Sequence, residues 1–375
     1  MLKILHTGDI HLDSPFARLD ARRAQQRREE ARASFCAMLA YARKSGVDLI
    51  LMAGDIFDRE YAARETVELL VREFSRLRCP VVIAPGNHDC AAPGSIWTRD
   101  IFPENVYIFR SPEITKFSFD DLNTDVYGCA FTAPERTDPP LSGRRVERED
   151  RINLLCIHGD TSSPISRYAP ISRADLSGFG ADYAALGHIH NAPAIERREK
   201  TVSAYCGCLE GRAPDETGPK GAVAAEITKE NGTAAVRAGR IRFARRRYEN
   251  AEADCTGAAT LTEIEERIRA AVAAGGFGED TLLRLTLTGA VEPTLTVDTA
   301  MLEGRFPGLY SLSVTDETTA ELSAAQLLGD RTVRGEFYRM LLPRLESGSP
   351  RERRIAVMAL RSGLAAMSGE NKNVH

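Results

Sequence analysis

The sequence predicts an α/β fold: buried strands alternating with helices, then a smaller α/β unit and a helical tail. Three observations carry that expectation. Residues 3–7, 48–53, 81–84, 152–157 and 183–186 are short apolar runs bounded by Gly, Pro or Asp, the pattern of buried strands. Residues 22–45 have a helical period, with Phe35, Met38, Leu39 and Ala42 on one face. Each apolar run leads directly into a polar segment rich in Asp, Asn and His. In layered α/β sheets, ligand sites gather beyond the carboxyl ends of strands, where these segments would lie.

The remaining elements follow in order. A second helix fits residues 63–76. From about 202 to 247 the pattern is β-like, with Gly-rich turns and strands expected at 223–227, 234–237 and 241–243. Residues 249–260 are polar and read as a linker. A helix at 261–274, a strand at 282–287, a helix at 299–306 and a strand at 310–314 form a compact α/β unit. Residues 320–375 read as helices with a frayed end at 368–375. Ser349-Pro350-Arg351-Glu352 is a capping box with proline at the first helical position, so a helix should start there. The expected domains are therefore 1–248, 249–319 and 320–375.

With 375 residues the chain can bury a sizeable core. A net charge of −4 offers no global attraction to nucleic acid, so any such contact must be local or assisted by bound cations. The first apolar run is too short for a signal peptide, and no stretch reaches transmembrane length. The 8 cysteines show no disulfide-like framework, so a reducing, cytoplasmic setting is expected with no membrane partner. Cys206-Gly207-Cys208 has no second Cys/His pair nearby to complete a zinc site, and reads as a strand end or loop.

The five polar segments are Asp9-Ile10-His11, Gly54-Asp55-Ile56-Phe57-Asp58, Gly86-Asn87-His88-Asp89, His158-Gly159-Asp160 and Gly187-His188-Ile189-His190. Their side chains offer oxygen and imidazole ligands for divalent cations. So many at successive strand ends point to a dinuclear metal site that cleaves phosphate esters. The order Asp-x-His, Gly-Asp-x-x-Asp, Gly-Asn-His-Asp, His, Gly-His-x-His resembles the calcineurin-like metallophosphoesterase superfamily over residues 1 to about 245. Three stretches are similar to its SbcD/YhaO-like branch of DNA repair exonucleases. These are Gly8-Asp9-Ile10-His11-Leu12-Asp13-Ser14-Pro15-Phe16, Ala185-Leu186-Gly187-His188-Ile189-His190, and Tyr205 to Arg212 followed by Glu216 and Gly218-Pro219-Lys220-Gly221. The branch more often has proline where Cys206 stands.

The resemblance implies a four-layer α/β/β/α core with a small α/β capping domain and a helical C-terminal tail. It implies that Asp9, His11 and His190 hold one metal, that Asn87, His158 and His188 hold a second, and that Asp55 bridges them. His88 would face the scissile phosphate as the catalytic residue. The implied cofactor is two divalent ions, manganese above all; the implied partners are DNA and a coiled-coil ABC-type ATPase docked on the C-terminal helices, and whether the chain also forms a homodimer is left open.

Neighbouring residues read more plainly. Asp58, Asp89 and Asp160 are expected to orient ligands or form turns, Asp13 to cap a turn, and His6 to pack in its strand. Arg22, Arg23, Arg27, Arg28 and Arg32 are expected on a solvated helix face, with phosphate contact as the alternative. Arg144, Arg145, Arg148 and Arg151, interleaved with acids, read as an exposed loop. In the tail, Arg351, Arg353, Arg354 and Arg361 flank Ile355, Val357, Met358 and Leu360, an amphipathic helix that either docks a partner or packs on its own chain. Function reads first as a metal-dependent DNA exonuclease. The rivals are a phosphoesterase for small nucleotides or phosphoproteins and a non-catalytic DNA or protein scaffold. Intact ligand positions argue against the scaffold.

Overall fold

The computed structural model describes residues 1–59, 62–292, 295–320 and 324–367. It divides into two compact units, Met1–Arg247 and Tyr248–His375. In chain order the first unit contains β1 (Leu2–Thr7), α1 (Ala21–Ser45), β2 (Leu49–Met52), α2 (Arg64–Ser75), β3 (Val81–Ile83), β4 (Val106–Ile108), β5 (Thr115–Phe119) and β6 (Thr124–Gly128). There follow β7 (Ile152–His158), α3 (Arg173–Phe179), β8 (Tyr183–Gly187), β9 (Glu196–Arg198), β10 (Thr201–Tyr205), β11 (Gly221–Glu230) and β12 (Thr233–Arg242).

Two six-stranded sheets result, ordered β12-β11-β1-β2-β3-β4 and β5-β6-β7-β8-β10-β9. In the first, β1, β2, β3 and β4 run parallel. In the second, β6, β7, β8 and β10 do. Side-chain alternation shows the layering. Leu154 and Cys156 of β7 join one core with Leu5, Ile50 and Val82 of the other sheet and with Phe35 and Met38 of α1. Leu155 and Ile157 point the other way, into a core with Leu176 and Phe179 of α3. Both faces of β7 are thus covered, as a parallel strand requires, and the stack is α/β/β/α. His6 ties the sheets: its Nδ1 lies 2.9 Å from the Tyr183 hydroxyl, and the ring is fully buried.

The second unit contains β13 (Arg247–Asp254), α4 (Leu261–Ala274), β14 (Thr281–Thr288), β15 (Ala290–Val291), α5 (Thr299–Glu303), β16 (Ser311–Asp316), β17 (Thr319–Ala320), α6 (Ala324–Gly329), α7 (Val333–Ser347) and α8 (Pro350–Met367). The sheet β13-β14-β16 packs Leu283, Leu285 and Leu287 against Ile264 and Ile268 of α4. Helix α4 opens with a capping box between Thr260 and Glu263. The predicted box before α8 also forms, with Ser349 N–H to Glu352 Oε2 at 2.9 Å and Glu352 N–H to Ser349 Oγ at 3.3 Å. On α8, Leu360 and Leu364 pack with Tyr338 and Leu341 of α7, while Ile355 and Met358 are exposed. Residues 368–375 lie outside the described residues.

Four expectations are corrected. Residues 249–260 are not a linker: most of β13 lies there, and the part of the strand within that range contributes only small Ala251 and Ala253 to the core, which leaves little apolar signal. The strands expected at 234–237 and 241–243 are one strand, because Gly239 continues the ladder opposite Ala224. Strands β4 to β6 were not foreseen. Arg27 does not lie on a solvated face. It is fully buried, donating from Nη1 to Glu30 at 2.7 Å and from Nη2 to Glu210 at 2.8 Å and the Gly211 carbonyl at 2.9 Å. Glu30 also accepts from Arg246. Arg22 and Arg23 are exposed. Likewise Arg151 is buried, hydrogen-bonded to Asp120 and the Phe119 and Thr124 carbonyls and ion-paired with Asp125, whereas Arg144 and Arg145 are exposed.

Removing one partner of a buried ion pair leaves the other charge uncompensated. Arg27→Ala should therefore destabilise the protein by about 3–5 kcal/mol. Denaturant melts of this variant beside Arg23→Ala, with its exposed pair to Asp20, check this; equal midpoints would mean that the pair carries no weight.

Candidate metal centre

The predicted segments leave the carboxyl ends of β1, β2, β3, β7 and β8. Backbone bonds zip the first two together: Asp9 N–H to Gly54 O at 2.9 Å, His11 N–H to Asp55 O at 2.9 Å and Leu12 N–H to Ile56 O at 2.8 Å. The Asp89 carboxylate holds the third loop to the second. It accepts from Ile56 N–H at 2.8 Å, Phe57 N–H at 3.2 Å and Gly86 N–H at 2.9 Å. Two glycines let these loops approach. A Cβ on Gly54, which has φ +87°, would overlap the His158 ring, and one on Gly86 would overlap the Asp55 carboxylate. Asp9, His11, Asp55 and His188 adopt positive φ of 46°, 47°, 49° and 111°. Such strain in non-glycine residues gathers at functional sites.

Among the described residues, three groups of donors lie within 4.8 Å of one another: Asp9 with His11 and His190, His11 with Asp55 and His88, and Asp9 with Asp55 and His158. Asn87 joins them, its Oδ1 3.0 Å from His158 Nε2. His188 stands beside His158 with ring centroids 5.3 Å apart. All eight predicted site residues are thus brought into one neighbourhood. Asp9, His11, Asp55 and His158 are buried; Asn87, His188 and His190 are half-buried, and His88 is exposed.

Hydrogen bonds set the imidazole orientations. His158 Nδ1 lies 2.9 Å from the Ala53 carbonyl, so it donates there and Nε2 carries the lone pair. His190 Nδ1 lies 2.6 Å from Glu216 Oε1, so its Nε2 lone pair also faces inward. Two backbone N–H groups are committed to the carboxylates: His188 donates to Asp9 at 2.9 Å and His88 to Asp55 Oδ1 at 2.9 Å.

The electrostatics favour neutral rings at His11 and His188. Burial, aided by the Arg212 charge, holds His11 well below the usual histidine range. Burial brings His188 down to about 4. Burial would also lower His158, but Asp55 and Asp9 outweigh it and raise that ring. Burial lifts Asp9 to about 6 against the pull of His158 and His190. Asp55 goes the other way: burial opposes its charge, but His158, His11 and His88 together hold it low.

This donor set fits divalent cations. His11 Nε2 and His190 Nε2 are 3.2 Å apart, and His190 has already committed its Nδ1 proton to Glu216. His11 Nδ1 is buried without a hydrogen-bond partner. Two carboxylates share this space. A cation between the two Nε2 atoms accounts for their close approach and for the two carboxylates, with mixed nitrogen and oxygen ligands; His11 Nδ1, on the far side of the ring, faces Asp58 Oδ1 at 3.5 Å.

Other predicted residues are structural in geometry. Asp160 accepts from Ser162 N–H at 2.7 Å and Ser162 Oγ at 2.6 Å. Asp13 accepts from Ala63 N–H at 3.0 Å and from Thr66 and Arg32, both at 2.7 Å. Cys206 and Cys208 are buried and free. Sequence reasoning did not assign Arg212 or Glu216 a role, although both stand in the quoted stretch after β10. No periodic signal could place them beside His190; the turn that follows β10 does.

A model of calcineurin-like phosphoesterases matches residues 2–192, which include every predicted metal ligand and His88. The chain is 32% identical over 238 residues to the uncharacterized metallophosphoesterase YhaO of Bacillus subtilis, covering 60% of this chain and 58% of that protein. It is 28% identical over 240 residues to the DNA double-strand break repair protein Mre11 of Aeropyrum pernix, covering 59% and 56% respectively. Against the protein of that name in Methanopyrus kandleri it is 24% identical over 225 residues, covering 56% and 49%. The chain thus spans roughly half to three fifths of the length of these curated relatives.

Proposed function

The chain belongs to the calcineurin-like phosphoesterase family, and from that premise we propose that it is a metal-dependent DNA exonuclease acting in repair beside an ABC-type ATPase, in the cytoplasm. The observation that carries the chemistry is the convergence of carboxylates and inward-facing imidazole Nε2 atoms at the ends of parallel strands in two facing sheets. Two relatives named as DNA double-strand break repair proteins support the substrate.

Asp9, His11 and His190 would hold one cation, Asn87, His158 and His188 another, and Asp55 would bridge. When bound, the ions offset phosphodiester charge and lower the pKa of a water. The chain's own residues do the rest. Ala53 and Glu216 hold His158 and His190 with their Nε2 atoms inward. His88 Nδ1 lies 3.0 Å from the Asp58 carbonyl, and donation there leaves Nε2 for substrate. From that position His88 stabilises charge on the phosphate or protonates the leaving oxygen.

Purified protein should cleave labelled duplex DNA, lose activity on chelation, and recover it better with manganese than with magnesium. Magnesium favours oxygen ligands and water, whereas this site is rich in imidazole. Full recovery in magnesium alone would count against the donor set as drawn. Cleavage of an aryl phosphodiester but not of DNA would favour the small-substrate reading, to which the net charge of −4 lends weight.

A further inference from the structure

Arg212 reaches two carboxylates that each face a different histidine of the site. Its Nη1 donates to Asp58 Oδ1 at 2.7 Å, and its Nη2 lies 3.4 Å from Glu216 Oε1. Asp58 Oδ1 in turn stands 3.5 Å from His11 Nδ1. Glu216 Oε1 accepts from His190 Nδ1 at 2.6 Å, while Glu216 Oε2 accepts the Arg212 backbone N–H at 2.6 Å. Arg212 Nη2 also lies 3.2 Å from His190 Nδ1; two donors cannot bond each other, so both point to the shared Glu216 oxygen. The three side chains are between 7% and 16% exposed, so water screens them little.

The other buried imidazole of the site is held differently. His158 Nδ1 donates to the Ala53 backbone carbonyl at 2.9 Å, and the carboxylate beside that nitrogen is Asp9, at 4.0 Å and itself a proposed ligand, not a supporting group held by Arg212. The asymmetry lies in the supporting groups: carboxylates held by Arg212 stand behind His11 and His190, whereas the hydrogen bond from His158 Nδ1 goes to a backbone carbonyl. A carboxylate behind a ligating histidine fixes its tautomer and makes it a stronger donor. A planar guanidinium fixes two carboxylates in one geometry, which an ammonium cannot do as well.

We propose that Arg212, through Glu216 and Asp58, is a positioning residue that aims the Nε2 atoms of His190 and His11, so that the Asp9–His11–His190 site depends on a clamp the His158 site lacks. This rests on the metal-dependent reading above. Arg212 and Glu216 lie beyond the stretch matched by the family model.

The test is equilibrium binding of manganese alone, read by electron paramagnetic resonance of the free ion, on full-length wild type, Glu216→Gln, Arg212→Lys and Arg212→Met. Wild type should take up two equivalents. Glu216→Gln and Arg212→Met should each weaken one equivalent by about 10–100-fold and leave the other unchanged. Arg212→Lys should recover part of the loss, since it keeps the charge and loses the fork. Two equivalents bound with wild-type affinities by both Glu216→Gln and Arg212→Met would overturn the proposal. So would equal weakening of both equivalents with a matching fall in melting temperature, which marks a purely structural role. Failure of wild type to bind manganese overturns instead the metal-dependent reading itself, so the two failures are distinguishable.

Discussion

Asp55→Asn is expected to abolish hydrolysis and to lower metal content at both sites together. Asp55 is fixed by its own backbone strain, at φ 49°, and by the His88 N–H on Oδ1 at 2.9 Å. Its Oδ2 lies 3.5 Å from His158 Nε2 and 3.7 Å from His11 Nε2, between the two proposed ligand sets. Asparagine preserves the shape but removes the negative charge that a bridge between two cations requires. It also presents an amide nitrogen where an oxygen is needed. Metal analysis and DNA cleavage should be run on the same preparation. An active variant carrying two full equivalents would end the bridging assignment.

His88→Ala is expected to lose turnover by about 10²–10⁴-fold while keeping both metals. His88 is exposed, unlike the buried donors, and its Nδ1 is engaged by the Asp58 carbonyl. Its nearest ring is His11, at 4.9 Å between centroids and nearly perpendicular. The ring also lies close enough to Asp55 and His11 to complete a donor group with them, so metal content decides its role. Loss of one equivalent in the alanine variant would make His88 a ligand. Retention of both with a collapsed kcat would leave it facing the phosphate.

The Arg27 cluster shows how a pattern misleads. A run of arginines at 22, 23, 27, 28 and 32 reads as a solvated face, because charge is normally left in water. Arg27 is buried only because Glu210, 183 residues away in sequence, arrives with the loop after β10 to meet it. No local rule foretells that meeting. The helix boundaries behave differently. Residues 22–45 were expected and Ala21–Ser45 is found, because a helix is built from local bonds and one apolar face.

What the sequence determined by itself was the alternation of strands and helices around the site and the position of each donor at a strand end. Those are properties of short windows: apolar runs, caps and the polar segments that follow them. What only the tertiary structure decided was which donors meet. The pairing of β1, β2 and β3 in one sheet and of β7, β8 and β10 in the other sets their carboxyl ends together. This brings His11 and His190, 179 residues apart, to 3.2 Å. It also determined which groups stand behind the donors. Glu216 behind His190 and Asp58 behind His11, both held by Arg212, depend on turns whose side-chain directions no periodicity encodes. The physical reason is range. Secondary structure is set by neighbours within a few residues, whereas a metal centre and its supporting charges are set by packing across sheets, where sequence distance carries no information.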